Sequence, residues 1–161
     1  NEKYAGVQTQ MKAVLVKADS LAAALTNYVD QDTEAFNRVM DAYRLPKTTT
    51  EEKLNRSQAI QKAMQAAALL PLAVAGACLD VLELSCQALA SGNANAASDA
   101  AVSGLMAHAG LHGALYNVRI NLGSIKDEQF IADTGSKVKQ ITEKDEVLHR
   151  QLLATAGQVI G

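Results

Sequence analysis

The chain has 161 residues, is 48% hydrophobic and 20% charged, and sets 15 Lys and Arg against 17 Asp and Glu for a net charge of −2. That balance argues against disorder and gives no electrostatic reason for a nucleic-acid or anionic-membrane partner. Two cysteines rule out a disulfide scaffold, no Trp and two Phe rule out an aromatic base-stacking platform, and 29 alanines with two prolines favour long helices.

The first segment carries a seam at Tyr4, Val7, Met11, Val14, Ala18, Leu21, Leu25, Tyr28, Asp32, Phe36, Val39 and Tyr43. Steps of three and four over about forty residues predict one long helix, closed by Pro46. Thr49 with Glu52 forms a capping-box pattern that opens a second helix. Its seam runs through Ile60, Met64, Ala67, Pro71, Val74, Cys78, Val81, Ser85 and Leu89, with a kink expected at Pro71 and a stop at Gly92. The apolar run Ala66–Leu79 is about 14 residues, short of the roughly 20 a membrane span needs, so it reads as a buried core helix. Cys78 and Cys86 lie about 12 Å apart along that helix. A disulfide needs Cα atoms within roughly 7 Å, so both are expected as reduced thiols, as in the cytoplasm.

Ser98 followed by Asp99 reads as the start of a third helix reaching about Leu122. A fourth runs from about Lys126 to Val159 with Phe130, Thr134, Val138, Ile141, Leu148 and Leu152 on one side. Four helices with short connections predict an all-α antiparallel bundle in a single domain spanning residues 1–161. Helices this long in so small a chain are expected to bury part of their seams against a second copy, as a homodimer.

Three features break the apolar patterns. Asp32 occupies a seam position, four residues after Tyr28 and four before Phe36. A carboxylate on the core side is costly unless paired, solvated or protonated, and a desolvated carboxyl can exchange protons near neutral pH. The other reading is an Asp that caps a helix break or pairs with an Arg. Along the third helix Ala96, Ala100, Ser103, Ala107, Gly110, Ala114, Asn117 and Asn121 form a small-residue stripe ending in two amides. It suits either close helix packing or a flat ligand. His108 and His112 share a face as metal ligands would, but two ligands are too few and no Glu accompanies them, so they are expected to be structural. Arg44 and Lys47 bracket Pro46 as either a solvated loop or an anion site.

Read in order, Val29-Asp30-Gln31-Asp32-Thr33-Glu34-Ala35-Phe36, Tyr43-Arg44-Leu45-Pro46-Lys47, Pro71-Leu72, Gly92-Asn93-Ala94-Asn95-Ala96-Ala97-Ser98-Asp99 and Asn117-Val118-Arg119-Ile120-Asn121-Leu122 resemble the cyclodeaminase/cyclohydrolase family of folate enzymes. The resemblance implies an all-helical homodimer that takes a reduced folate as substrate, with no metal or further cofactor, and no nucleic-acid or membrane partner. The family's catalytic Asp falls on Asp32, to which the resemblance assigns proton transfer tuned by desolvation. It makes Arg44 and Lys47 candidates for the glutamate end of the folate, and Ser98, Asp99, Asn117 and Asn121 candidates for the pterin or the reacting centre. Methenyltetrahydrofolate cyclohydrolase is the expected activity. Formiminotetrahydrofolate cyclodeaminase and a non-catalytic oligomerisation module are the alternatives. Family members carry a helix and a glycine-rich segment several dozen residues upstream of the Lys-Tyr pair seen here as Lys3-Tyr4. Tyr4 and Val7 continue a seam rather than begin one, so that segment is expected to precede them.

Overall fold

A computed structural model describes the backbone from residue 2 to 161 and the side chains from Tyr4 onward, so Lys3 of the Lys-Tyr pair lies outside the described side chains. After a 3-10 turn over Glu2–Val7 come α1 (Gln8–Arg44), α2 (Thr50–Ser91), a second 3-10 turn (Ala94–Ala96), α3 (Ala97–Leu122) and α4 (Glu128–Val159). No strand is present among the described residues.

The helix ends follow local chemistry. Thr49 Oγ1 accepts a hydrogen bond from the Glu52 amide at 3.1 Å, and Glu52 Oε2 accepts from the amides of Thr48 and Thr49 at 2.8 and 2.9 Å. This closes the capping box at the start of α2. Gly92 ends α2, where a Cβ would lie 2.4 Å from the Ala88 carbonyl oxygen. The expected start of α3 at Ser98 shifts upstream. Asn93 instead opens the short 3-10 turn by accepting from the Asn95 amide, and Ser98 and Asp99 fall inside the first turn of α3. Helix α4 starts at Glu128 rather than Lys126 because Asp127 caps it, accepting from the Phe130 amide at 3.0 Å.

Helix α2 runs through the middle of the molecule and packs against α1, α3 and α4. By length and composition alone it could cross a membrane, but its apolar residues form the core of this bundle. One core cluster joins Leu72, Ala75 and Cys78 to Leu111, Leu115 and Val118 of α3 and Val138 of α4. A second joins Leu82, Cys86 and Leu89 to Ala97, Ala101 and Ala107 of α3 and Leu152 of α4. Leu152 sits directly on Gly104, where a Cβ would come within 2.6 Å of Leu152 Cδ2. Alanine and glycine on α3 thus let the helices approach closely enough for leucines to fill the space between them.

Helix α1 follows the expected seam at Met11, Val14, Leu21, Leu25 and Tyr28, which are half-buried, and at Val39, and departs from it at Phe36 and Tyr43. Its buried residues are Ala35, Val39 and Ala42, while Phe36 is 62% exposed and Tyr43 is also exposed. The core-facing stripe is therefore turned by one residue from the line through Asp32, Phe36 and Tyr43.

Candidate active site

Three helices meet along a cleft of about 750 Å³. Helix α1 contributes Tyr28, Asp32, Ala35, Phe36 and Val39, α2 contributes Met64, Ala67, Pro71 and Val74, and α3 contributes Gly110, Ala114, Asn117 and Asn121. Each set repeats at three or four residues, so each is one face of its helix. The cleft is wide here because α3 offers only glycine and alanine above its two amides.

Asp32, Asn117 and Asn121 therefore line one cleft. The environment of Asp32 is not the one the seam implied. Its side chain is exposed at the cleft rim, because the core face of α1 passes through Ala35 and Val39 instead. Within a single chain nothing buries it, so desolvation of Asp32 needs a ligand or another copy over the cleft.

Pro71 and Asn121 belong together. An α-helical carbonyl accepts from the amide four residues on, and Pro71 has no amide hydrogen to give the carbonyl of Ala67. Asn121 Nδ2 supplies that hydrogen bond from α3, at 2.9 Å. That leaves the Oδ1 of this cleft-lining residue as an acceptor. Asn117, more exposed, donates from Nδ2 to the Gly113 carbonyl of its own helix at 3.3 Å.

The remaining candidates lie elsewhere. Arg44 is at the C-terminus of α1, paired with Asp41 at 3.0 Å, with both side chains exposed. Lys47 is exposed in the following linker. Both sit beyond the cleft, Arg44 about 18 Å along the helix from Asp32. Nearby, Arg56 donates from Nε and Nη2 to the Tyr43 carbonyl and fixes the end of α1. Ser98 and Asp99 are at the opposite end of α3, about 27 Å along its axis from Asn117. Asp99 borders a second groove with Tyr4, Gln8, Met11 and Asn93. A single chain does not bring Ser98 or Asp99 to Asp32.

Sequence reasoning missed Asp145. It is fully buried, and its two carboxylate oxygens are held by His108 Nδ1 at 2.9 Å and His112 Nε2 at 3.0 Å. The signal was present: Asp145 falls in the seven-residue gap between Ile141 and Leu148 of the α4 seam, at the position where an apolar residue belongs. Cys78 and Cys86 are buried free thiols, and burial pushes both thiol pKa values up.

Comparison with known proteins agrees with this architecture. The family model described as Formiminotransferase-cyclodeaminase matches residues 1–140. The chain is 36% identical over 154 residues to the methenyltetrahydrofolate cyclohydrolase of Methylorubrum extorquens, covering 96% of this chain and 74% of that protein. It is 28% identical to the formimidoyltransferase-cyclodeaminase of Sus scrofa over 142 residues, 88% of this chain but only 26% of that longer protein. In structure it is similar to the formiminotetrahydrofolate cyclodeaminase of Thermotoga maritima, with a TM-score of 0.86 over 98% of this chain and 75% of that one, at 24% identity. With the family model covering most of its length, the chain belongs to the formiminotransferase-cyclodeaminase family.

Proposed function

We propose that the protein is a methenyltetrahydrofolate cyclohydrolase, opening the methenyl bridge of the reduced folate with water to give formyltetrahydrofolate. The reading rests on a cleft lined by one carboxylate and two amides in a chain whose 36% identical relative bears that name. In the proposed reaction water adds to the cationic methenyl carbon, gives up one proton to solvent and yields a neutral tetrahedral carbinol. The carbinol oxygen loses its proton and becomes a formyl carbonyl as one carbon–nitrogen bond breaks, and the departing nitrogen takes a proton. Asp32 carries that proton from the oxygen to the nitrogen. The apolar walls from Tyr28, Met64, Pro71 and Val74 suit a flat ring, and the free Oδ1 of Asn121 and the amide of Asn117 suit its donors and acceptors. Arg44 and Lys47, beyond the cleft, suit the anionic glutamate end.

A homodimer supports the same chemistry. Leu15, Val29 and Phe36 of α1 share one side of the helix and are all at least 60% exposed, and a second copy laid over them would cover the Asp32 rim and desolvate it. Given the 27 Å along α3, Ser98 and Asp99 reach a reacting folate only from that second copy. Mixing Asp32→Asn with Asp99→Asn subunits then restores activity, whereas no recovery on subunit exchange removes these two residues from the site. The reduced thiols fit the cytoplasm.

Methenyltetrahydrofolate absorbs in the near ultraviolet and its hydrolysis product does not. Loss of the band on adding enzyme, without ammonia, is the expected outcome. Growth of the band from formiminotetrahydrofolate with ammonia release would instead establish the cyclodeaminase, and neither change in the full-length protein would leave an oligomerisation module. Asp32→Asn should lower turnover by about 10²–10⁴ with the helical fold retained. Unchanged turnover removes Asp32 from the proton transfer.

A further inference from the structure

All three histidines of the chain meet beside one buried carboxylate. His108 and His112 are four apart on α3. Asp145 and His149 are four apart on α4, so each helix offers two side chains to the other at the same level. We propose that His108, His112 and Asp145 bind a divalent transition-metal cation of the Zn²⁺ type, clamping α3 to α4 on the side of the bundle away from the Asp32 cleft.

Four observations carry this. The three donor atoms lie within 4.8 Å of one another. The carboxylate–imidazole separations of 2.9 and 3.0 Å are close to the roughly 3.3 Å between neighbouring ligands of a tetrahedral metal with bonds near 2.0–2.1 Å. Two imidazoles and a carboxylate are the donor set that borderline cations such as Zn²⁺ select over Mg²⁺ or Ca²⁺. Asp145 is the one fully buried charged side chain among the described residues, and it pairs with two histidines rather than with a Lys or Arg. A buried carboxylate requires a counter-charge, and a divalent cation held between it and two neutral imidazoles supplies one. The histidine side chains are 26% and 33% exposed, which gives a cation access from solvent.

His149 stacks on the His108 ring with centroids 3.8 Å apart and so fixes that ring's orientation. At 100° per residue, His108 and His112 point to the side of α3 opposite Gly110, Ala114, Asn117 and Asn121. The cation therefore takes no part in the cleft chemistry. It ties together two helices.

The test uses the full chain without a histidine tag, stripped by chelator and titrated with Zn²⁺ alone. One equivalent should bind, and a hundredfold excess over Kd should raise Tm by roughly 5–10 °C. Co²⁺ in its place should give the visible absorption of a low-symmetry nitrogen–oxygen site. Combining His108→Gln with His112→Gln should weaken Zn²⁺ binding at least about 100-fold, while His149→Gln, which keeps all three donors, should stay within about tenfold. Asp145→Asn probes the carboxylate. If that variant fails to fold, the half-buried histidine pair still decides the matter. Absence of stoichiometric binding, a Tm unmoved by Zn²⁺, or equal binding by the double variant overturns the proposal and leaves an imidazole–carboxylate pair.

Discussion

Pro71 leaves the Ala67 carbonyl without its helical donor, and the Asn121 amide fills the place from a different helix. Asn121→Ala should destabilise the protein by about 1 kcal/mol, the worth of one hydrogen bond to a half-buried acceptor. In a Pro71→Ala background residue 71 supplies the missing amide, and the same change should then cost close to nothing. Urea denaturation of the two single variants and the double variant measures this coupling, and strictly additive losses would show that the bond contributes nothing. Both residues stood out in the sequence, but their partnership did not, because 50 residues separate them and only the packing of α2 on α3 brings them together. The two anomalous acids show the same limit differently. Asp32 and Asp145 both interrupt apolar seams, yet Asp32 is exposed at a cleft and Asp145 is the buried one. Spacing marks an acid as out of pattern, while its burial depends on what the neighbouring helices lay over it.

At the level of elements, the four helices and most of their ends were legible because caps and breakers act locally. Thr49 with Glu52 and Gly92 do at their positions what their chemistry dictates, while the Asp127 cap that opens α4 was not read from the sequence. The phase of α1 was legible as far as Tyr28 and at Val39, but not in full toward its C-terminus. There the close helix contact buries Ala35 and Ala42, whereas the seam passes through their bulkier neighbours Phe36 and Tyr43, which are exposed. Two backbone amides of Thr48 and Thr49 hold the Glu52 carboxylate below the usual carboxylate range. Because its folded pKa is lowered, the unfolded chain takes up the proton first as pH falls. The charged cap therefore adds stability at neutral pH, and that contribution fades as pH drops through the folded value. Glu52→Gln keeps an acceptor but no charge, so its deficit relative to wild type should be present at pH 7 and shrink on acidification. Thermal melts from pH 7 to pH 3 measure this, and a deficit independent of pH would mean that the charge plays no part.

The whole molecule exposes 9992 Å². A compact monomer of 17.0 kDa is expected to expose about 7,700 Å². Covering that surplus of about 2,300 Å² on each of two copies would bury about 4,600 Å², in the range of permanent homodimer interfaces. Sedimentation should therefore find a dimer, and Leu15→Glu on the exposed apolar stripe of α1 should shift it toward monomer while the helical signal persists. A monomeric wild type at micromolar concentration would refute the homodimer. The surplus area was foreshadowed by helix lengths in the sequence, but its location was not, since that depends on the phase of α1. Those lengths also give the chain a shape. The 42 residues of α2 extend about 63 Å, whereas a sphere of this mass would have a radius of gyration near 15 Å. Helical N–H bonds point along their helix, so nearly every amide of α2 reports the same slow end-over-end rotation. Nitrogen relaxation in solution should give almost one rate along α2, and the tumbling time derived from it should exceed what the mass alone would give.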